Sequence, residues 1–278
     1  MAYRPAGPRD TVSIFERVLQ ERPGDVHNPG LIFHRFAPDL ASGNDRNNEG
    51  LKLEGLRRVR DVTLDSQLLE AVRRRLEAAW REMGARVLRL TTRSRTVVGL
   101  GSKGVYEVGF AFHRTWGFPV IPGSSLKGVA RSYALLVEGL DQRSTEFQEV
   151  FGYASGDQRE ADGRAGRVTF WDAIPESNLR LELDVINPHY PRYYQDSTGR
   201  TPPSNWQSPV PIHFLTIPPG ARLITAIAPL VPGEEASGAI DRATRWLTGG
   251  LLQLGAGAKT ASGYGWIDAY PIQPSRRR

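Results

Sequence analysis

The sequence contains no cysteine, which excludes disulfides, thiolate metal sites and cysteine nucleophiles outright. Histidine is scarce. The five, at positions 27, 34, 113, 189 and 213, show neither an HxH nor an HExxH spacing, so no metal site is expected and no cofactor is implied. No apolar run is long enough to cross a bilayer, and the first residues lack the charged, apolar and small-residue regions of a secretory leader. These absences lead us to expect a cytoplasmic protein with no membrane partner.

What is present points toward a polyanion. The 278 residues, 40% of them hydrophobic, suffice for one large domain or a core with elaborations. The balance of 36 basic and 30 acidic residues gives a net charge of +6, and arginine dominates the basic set. Its planar fork binds phosphates bidentately and stacks on bases, although a modest positive charge also serves ordinary solubility. Glycine (29) and proline (20) are frequent without a period, which predicts long structured loops.

The most informative stretch is 255–265, Gly-Ala-Gly-Ala-Lys-Thr-Ala-Ser-Gly-Tyr-Gly. Gly255 and Gly257 allow sharp turns, close approach of a ligand and backbone N–H groups pointing the same way. Lys259 adds a charge, Thr260 and Ser262 add hydroxyls, and Tyr264 adds a ring. Such a loop suits a phosphate. It is not a Walker A loop, because Ala258 precedes Lys259 and the preceding segment reads as a helix. It is not a dinucleotide fingerprint either, since Thr260 stands at the third glycine position. Ser124-Ser125-Leu126-Lys127 together with Lys259-Thr260-Ala261 also resembles the SxxK and KTG elements of serine acyl-enzymes. No Ser-Asp-Asn occurs, and Ala261 replaces the glycine, so we read that match as coincidence.

In chain order, residues 1–60 read as irregular apart from a short helix over 11–20 predicted by periodicity, with Asp45-Arg46-Asn47-Asn48 as an exposed loop. The clearest helix is 64–83, capped by Thr63 or Asp65 and stopped by Gly84; its Arg73, Arg74, Arg75 and Arg81 read first as a solvated face. Strands are expected over 86–92, 168–171, 179–186, 212–217, 222–228 and 264–270, with a helix over 236–254. Residues 141–167 read as a polar loop.

A second helix is predicted from Ser124 or Ser125, natural N-caps, to about 138. Lys127 and Arg131, four apart near its positive end, make a phosphate site with the helix N–H groups; two solvated cations are the plainer reading. Further on, 187–194 packs His189, Tyr190, Tyr193 and Tyr194 with Arg192 into a proline-braced loop that can stack bases or simply pack on the sheet.

The order strand, helix, strands, then strand, helix, strand predicts an α+β, ferredoxin-like, RRM-type domain. The helix opening Ile121-Pro122-Gly123-Ser124-Ser125-Leu126-Lys127-Gly128 and the glycine loop resemble the RAMP superfamily of CRISPR proteins. Within it, Asp184-Val185-Ile186-Asn187-Pro188-His189-Tyr190 and Pro211-Ile212-His213-Phe214-Leu215-Thr216 resemble the sixth subunit of type III-B (Cmr) effector complexes, over roughly 86–270.

The resemblance implies a Cas7-like domain over 86–278, with an insertion near 187–211 and an N-terminal elaboration over 1–85. It implies a subunit that holds guide RNA (crRNA) near its 3′ end and caps a filament of backbone RAMP subunits, beside a small helical subunit. Ser124, Ser125, Lys127, Arg131 and the glycine loop would follow the RNA backbone, and the tyrosine-rich loop would reach toward target RNA. Backbone subunits of such complexes cut with an Asp after the first strand. Between 93 and 123 this chain has no Asp, and Glu107 is the one acid, so no catalysis is expected. The alternative is a metal-independent processing endoribonuclease working through His34, His113, His189 or His213.

Overall fold

The computed structural model describes residues 5–21, 26–40, 45–102, 104–153, 163–190, 193, 196–203, 211–233 and 235–272. Four helices come first: α1 (Arg9–Glu21), α2 (Pro29–Arg35), α3 (Asp45–Asp61) and α4 (Ser66–Glu82). They are followed by β1 (Arg86–Thr92), α5 (Gly123–Leu136), α6 (Thr145–Phe151), β2 (Gly152–Tyr153), β3 (Arg164–Ala165), β4 (Val168–Phe170) and β5 (Ile174–Pro175). The chain then forms β6 (Glu182–Ile186), β7 (Ile212–Thr216), β8 (Arg222–Pro229), α7 (Ser237–Gln253) and β9 (Ile267–Pro271).

The main sheet runs β4-β8-β1-β9, with every neighbour antiparallel and β5 also paired to β8. In β1, Arg86 lies opposite Ile227 and Thr91 opposite Arg222. Leu223 through Ala228 are all buried, so β8 reads as a continuous apolar run, as a central strand covered on both faces must. Helices α5 and α7 pack closely on each other and on this sheet. Glycine makes the close crossing possible: a Cβ at Gly249 would lie 2.4 Å from the Tyr133 ring, and one at Gly250 2.8 Å from Val129.

A separate antiparallel hairpin pairs β6 with β7, Glu182 opposite Thr216 and Ile186 opposite Ile212. It carries the 187–211 segment, and α3 packs against it. One apolar cluster extends from Phe15 to Ile267, so the N-terminal helices share a core with the sheet. The rings of Phe118 and Phe214 are fully buried, each contributing about 2–3 kcal/mol. Trp80 meets Trp171 edge-on with centroids 6.1 Å apart, joining α4 to the segment after β4.

Several expectations need correction. The stretch over 1–60, read as irregular apart from 11–20, contains α2 and all but the last residue of α3, and Asp45-Arg46-Asn47-Asn48 lies in that helix. Asn28 caps α2 by accepting from Leu31 N at 2.7 Å, with Pro29 at its first turn. The 141–167 stretch likewise contains α6, whose Ser144 hydroxyl accepts from Phe147 N at 3.4 Å while Phe147, Val150 and Phe151 turn inward. Neither serine caps α5. Pro122 occupies the N-cap, and the Asp172 carboxylate accepts from Gly123 N at 2.7 Å. The last strand begins at Ile267, because residues 255–265 close on themselves first.

Candidate nucleic-acid interface

The glycine loop begins where α7 ends. Gly255, Gly257, Gly263 and Gly265 all have positive φ, and so does Lys259, at 62°. A Cβ at Gly257 would lie 2.2 Å from the Val97 carbonyl oxygen, and one at Gly265 2.1 Å from that of Ala256. The loop is folded tightly on the 95–98 segment: Ala258 N donates to Val97 O (2.8 Å) and Gly265 N to Arg95 O (2.8 Å). The N–H groups of Gly255, Ala256, Ser262, Gly263 and Tyr264 also donate to carbonyls of the chain itself. The expected cradle of free N–H groups is therefore largely consumed. The glycines instead build a rigid shelf.

That shelf forms one wall of an open cleft of about 470 Å³. The turn Gly99-Leu100-Gly101 forms the second wall, and Ser125, Gly128 and Ser132 of α5 form the third. Three glycine-bearing stretches far apart in sequence thus converge on one groove, with Val98, Leu100, Val129 and Leu254 between their backbone and serine surfaces. Ser125, Gly255 and Gly257 line it directly. Ser124 and Lys127 line a neighbouring cleft of about 310 Å³ with Thr169 and Phe170.

Arg131 does not share an anion site with Lys127. Its guanidinium sits 5.4 Å from the centroid of the Phe147 ring and donates to Gln142 at 3.0 Å, so its charge is accommodated without an anion.

Lys259 and Tyr264 face the β6–β7 hairpin. The ammonium lies 5.6 Å from the Tyr264 ring centroid and 5.8 Å from that of Phe214. The Tyr264 hydroxyl donates to Asp184 at 2.6 Å. Burial, with that bond added, pushes the phenol up to about 12. Arg95 donates to Glu182 (2.9 Å) and Asp184 (3.4 Å), and the bond to Glu182 raises the guanidinium further above its usual range. Arg95 is not singled out in the sequence, and Asp184 and Phe214 enter there only within the motifs that carry the resemblance, with no role at a site. The available signal was the alternation of Glu182 and Asp184 on one face of a strand, which required a cationic partner.

The tyrosine-rich segment is less gathered. His189 is exposed, Tyr190 half-buried with its ring 6.4 Å from that of His189, and Tyr193 exposed. Arg192 and Tyr194 lie outside the described residues. Downstream, both Asp196 oxygens accept backbone N–H bonds, from Thr198, Arg200 and Thr201, and the Thr198 and Thr201 bonds hold its carboxyl far below the ordinary range.

The histidines proposed for a nuclease sit in separate settings. Burial, with Arg35 nearby, lowers the pKa of His34, whose ring lies edge-on to Phe33 and Phe112. His113 stacks on Trp116 at 4.0 Å, and burial lowers its pKa too. Among the described residues, no cluster of His, Asp and Glu has the makings of a metal site, and no helix is long and apolar enough to cross a membrane.

An antiparallel sheet with two close-packed helices, and a glycine shelf facing the first of them across a cleft, defines an α+β domain built around one groove. The sequence matches the RAMP superfamily over residues 89–268, a span that holds all three walls of that groove, and the chain belongs to this superfamily. It is 32% identical over 232 residues to CRISPR system Cmr subunit Cmr6 of Pyrococcus furiosus, covering 64% of this chain and 66% of that protein. It is 28% identical over 185 residues to the Cmr6 of Saccharolobus solfataricus, covering 65% of this chain and 56% of that one. The matches therefore span just under two thirds and just over half of those relatives. A chain of the type III-B Cmr-beta complex bound to cognate target RNA shares the fold, with a TM-score of 0.58 at 23% identity, covering 95% of this chain and 89% of that one.

Proposed function

We propose that this chain is a non-catalytic RNA-binding subunit of a type III-B CRISPR effector complex. In this reading it holds guide RNA near the 3′ end and caps a filament of backbone RAMP subunits beside a small helical subunit. The observation that carries it is the convergence of the 99–101 turn, the start of α5 and the glycine shelf on one cleft. The walls are glycine backbone and serine hydroxyls set among Val98, Leu100, Val129 and Leu254, a surface that a sugar–phosphate chain can follow by shape. The similarity to Cmr6 proteins supports the complex, and the sheet order β4-β8-β1-β9 supports a ferredoxin-like arrangement of two strand–helix–strand halves.

Lys259 supplies the charge at the edge of the shelf. Its ammonium is held over two rings, where it can meet a phosphate. The absence of catalysis rests on the sequence reading of 93–123. Its one acid, Glu107, is ion-paired to Lys52 of α3.

Reconstitution with guide RNA and a backbone subunit tests this. Lys259→Ala and Lys127→Ala should weaken RNA retention and flatten its dependence on salt. No cleavage of repeat-containing RNA should occur without metal. Cleavage that is abolished by one His→Ala substitution would replace this reading with the processing nuclease.

A further inference from the structure

A second pocket, sharing no residue with the 470 Å³ groove and only Thr169 and Phe170 with the cleft of Ser124 and Lys127, has the chemistry of a base-binding site. It is about 350 Å³ in volume and opens between α4, the 113–116 turn and the segment after β4. Trp116, His113, Phe170 and Trp171 give it aromatic walls, and Thr169 and Asp172 give it polar ones. His113 and Trp116 are already stacked, 15° from parallel with centroids 4.0 Å apart, so a flat ring platform exists before any ligand arrives. The volume exceeds that of a nucleobase, and an apolar pocket with a few convergent polar groups is the usual form of a small-ligand site.

The polar groups are of both kinds. His113 Nδ1 accepts from the backbone N–H of Thr115 (3.2 Å) and Trp116 (3.3 Å), which places the ring proton on Nε2. Burial lowers the pKa of the ring. Asp172 uses Oδ1 to accept from Gly123 N, and its other oxygen remains an acceptor. In the same wall, the Trp171 indole N–H is buried with no acceptor among the described residues. Arg114 stands exposed beside His113, where a phosphate attached to a bound base would find a cation.

We propose that this pocket binds an unpaired nucleobase carrying an exocyclic amine, which adenine has and uracil lacks. The base stacks on the Trp116–His113 platform. Its amine donates to the Asp172 oxygen that Gly123 leaves free. Uracil offers the reverse pattern at the corresponding edge and is disfavoured. The inference does not depend on the groove described above, and a free nucleotide and an exposed base of single-stranded RNA present the same chemistry.

Calorimetry on the full chain separates these possibilities, with 5′-AMP, 5′-UMP and a six-nucleotide oligoadenylate as probes. AMP should bind more tightly than UMP, and Trp116→Ala should weaken AMP at least tenfold, as loss of base stacking does. Asp172→Asn keeps an acceptor for Gly123 but presents an amide N–H₂ to the ligand, so the preference should shift from AMP toward UMP. A merely structural role for Asp172 would not produce that shift. Tighter binding of oligoadenylate than of AMP identifies RNA as the source, and the opposite order identifies the free nucleotide. The proposal is overturned if neither adenine probe binds, if AMP and UMP bind alike, or if folded Trp116→Ala binds AMP as the parent does.

Discussion

The Tyr264 hydroxyl donates to the Asp184 carboxylate at 2.6 Å and so ties the glycine loop to the β6–β7 hairpin, two elements 80 positions apart. The folded state keeps this phenol protonated up to about 12, whereas an unfolded tyrosine loses its proton near pH 10. The folded form therefore binds the proton more tightly. Its stabilising contribution is complete below about pH 10 and disappears as the pH rises toward 12. Tyr264→Phe should cost about 1 kcal/mol at neutral pH, because the site is partly solvated, and should flatten the alkaline arm of a urea-stability profile.

Two glycines of the groove should respond in opposite ways to alanine. Gly257 has φ of 87°, and a Cβ there meets the Val97 carbonyl at 2.2 Å; Gly257→Ala should cost more than about 2 kcal/mol or prevent folding. Gly128 sits inside α5 with open space around the position of a Cβ, so Gly128→Ala should stabilise by about 0.5–1 kcal/mol. Gly128 also lines the cleft, and the same methyl group should reduce RNA retention. Thermal melts and RNA retention measured on one preparation would show whether stability and binding separate in this way.

Glu138 accepts from the indole N–H of fully buried Trp246 at 2.8 Å and from Arg245 at 3.0 Å. Glu138→Ala leaves that N–H without an acceptor and should cost about 1–3 kcal/mol. Glu138→Gln retains an acceptor and should recover most of the loss. Denaturant midpoints of the two variants check this.

Lys259 adopts the left-handed conformation that glycine tolerates best. Lys259→Gly removes the strain along with the contacts to Phe214 and Tyr264, so stability should stay within about 1 kcal/mol of the parent. RNA binding should nevertheless fall, with the slope of log affinity against log salt reduced by about 0.7, the value for one contact to a single strand. A stable protein with an unchanged salt slope would remove Lys259 from the interface.

Sequence pattern revealed the main sheet because its signals are local and strong. β1 was read over 86–92 as observed, and α7 was placed within one residue at each end by the recurrence of Ile240, Ala243, Leu247 and Leu251. Helix α3 escaped because its buried face is narrow, resting on Leu51, Leu56 and Val59 among many polar residues, and tertiary contacts with α2 and the hairpin decide it. The groove was half legible. Glycine content marked the loop, but periodicity gives no indication that its N–H groups turn back onto the 95–98 segment or that Asp172, 49 positions on, occupies the start of α5. Nor can local pattern show that Arg131 is taken up by Phe147 and Gln142, since those contacts come from α6 and the turn before it.

The most direct measurement is a tagged pull-down from the native host with ultraviolet crosslinking, followed by proteomics and RNA sequencing of the same eluate. The account expects a multi-subunit particle carrying short repeat-derived RNAs, with crosslinked peptides from the 99–101 turn, the start of α5 and the 255–265 loop. Recovery of the chain alone and free of RNA, or of RNA crosslinked only outside those three stretches, would contradict it.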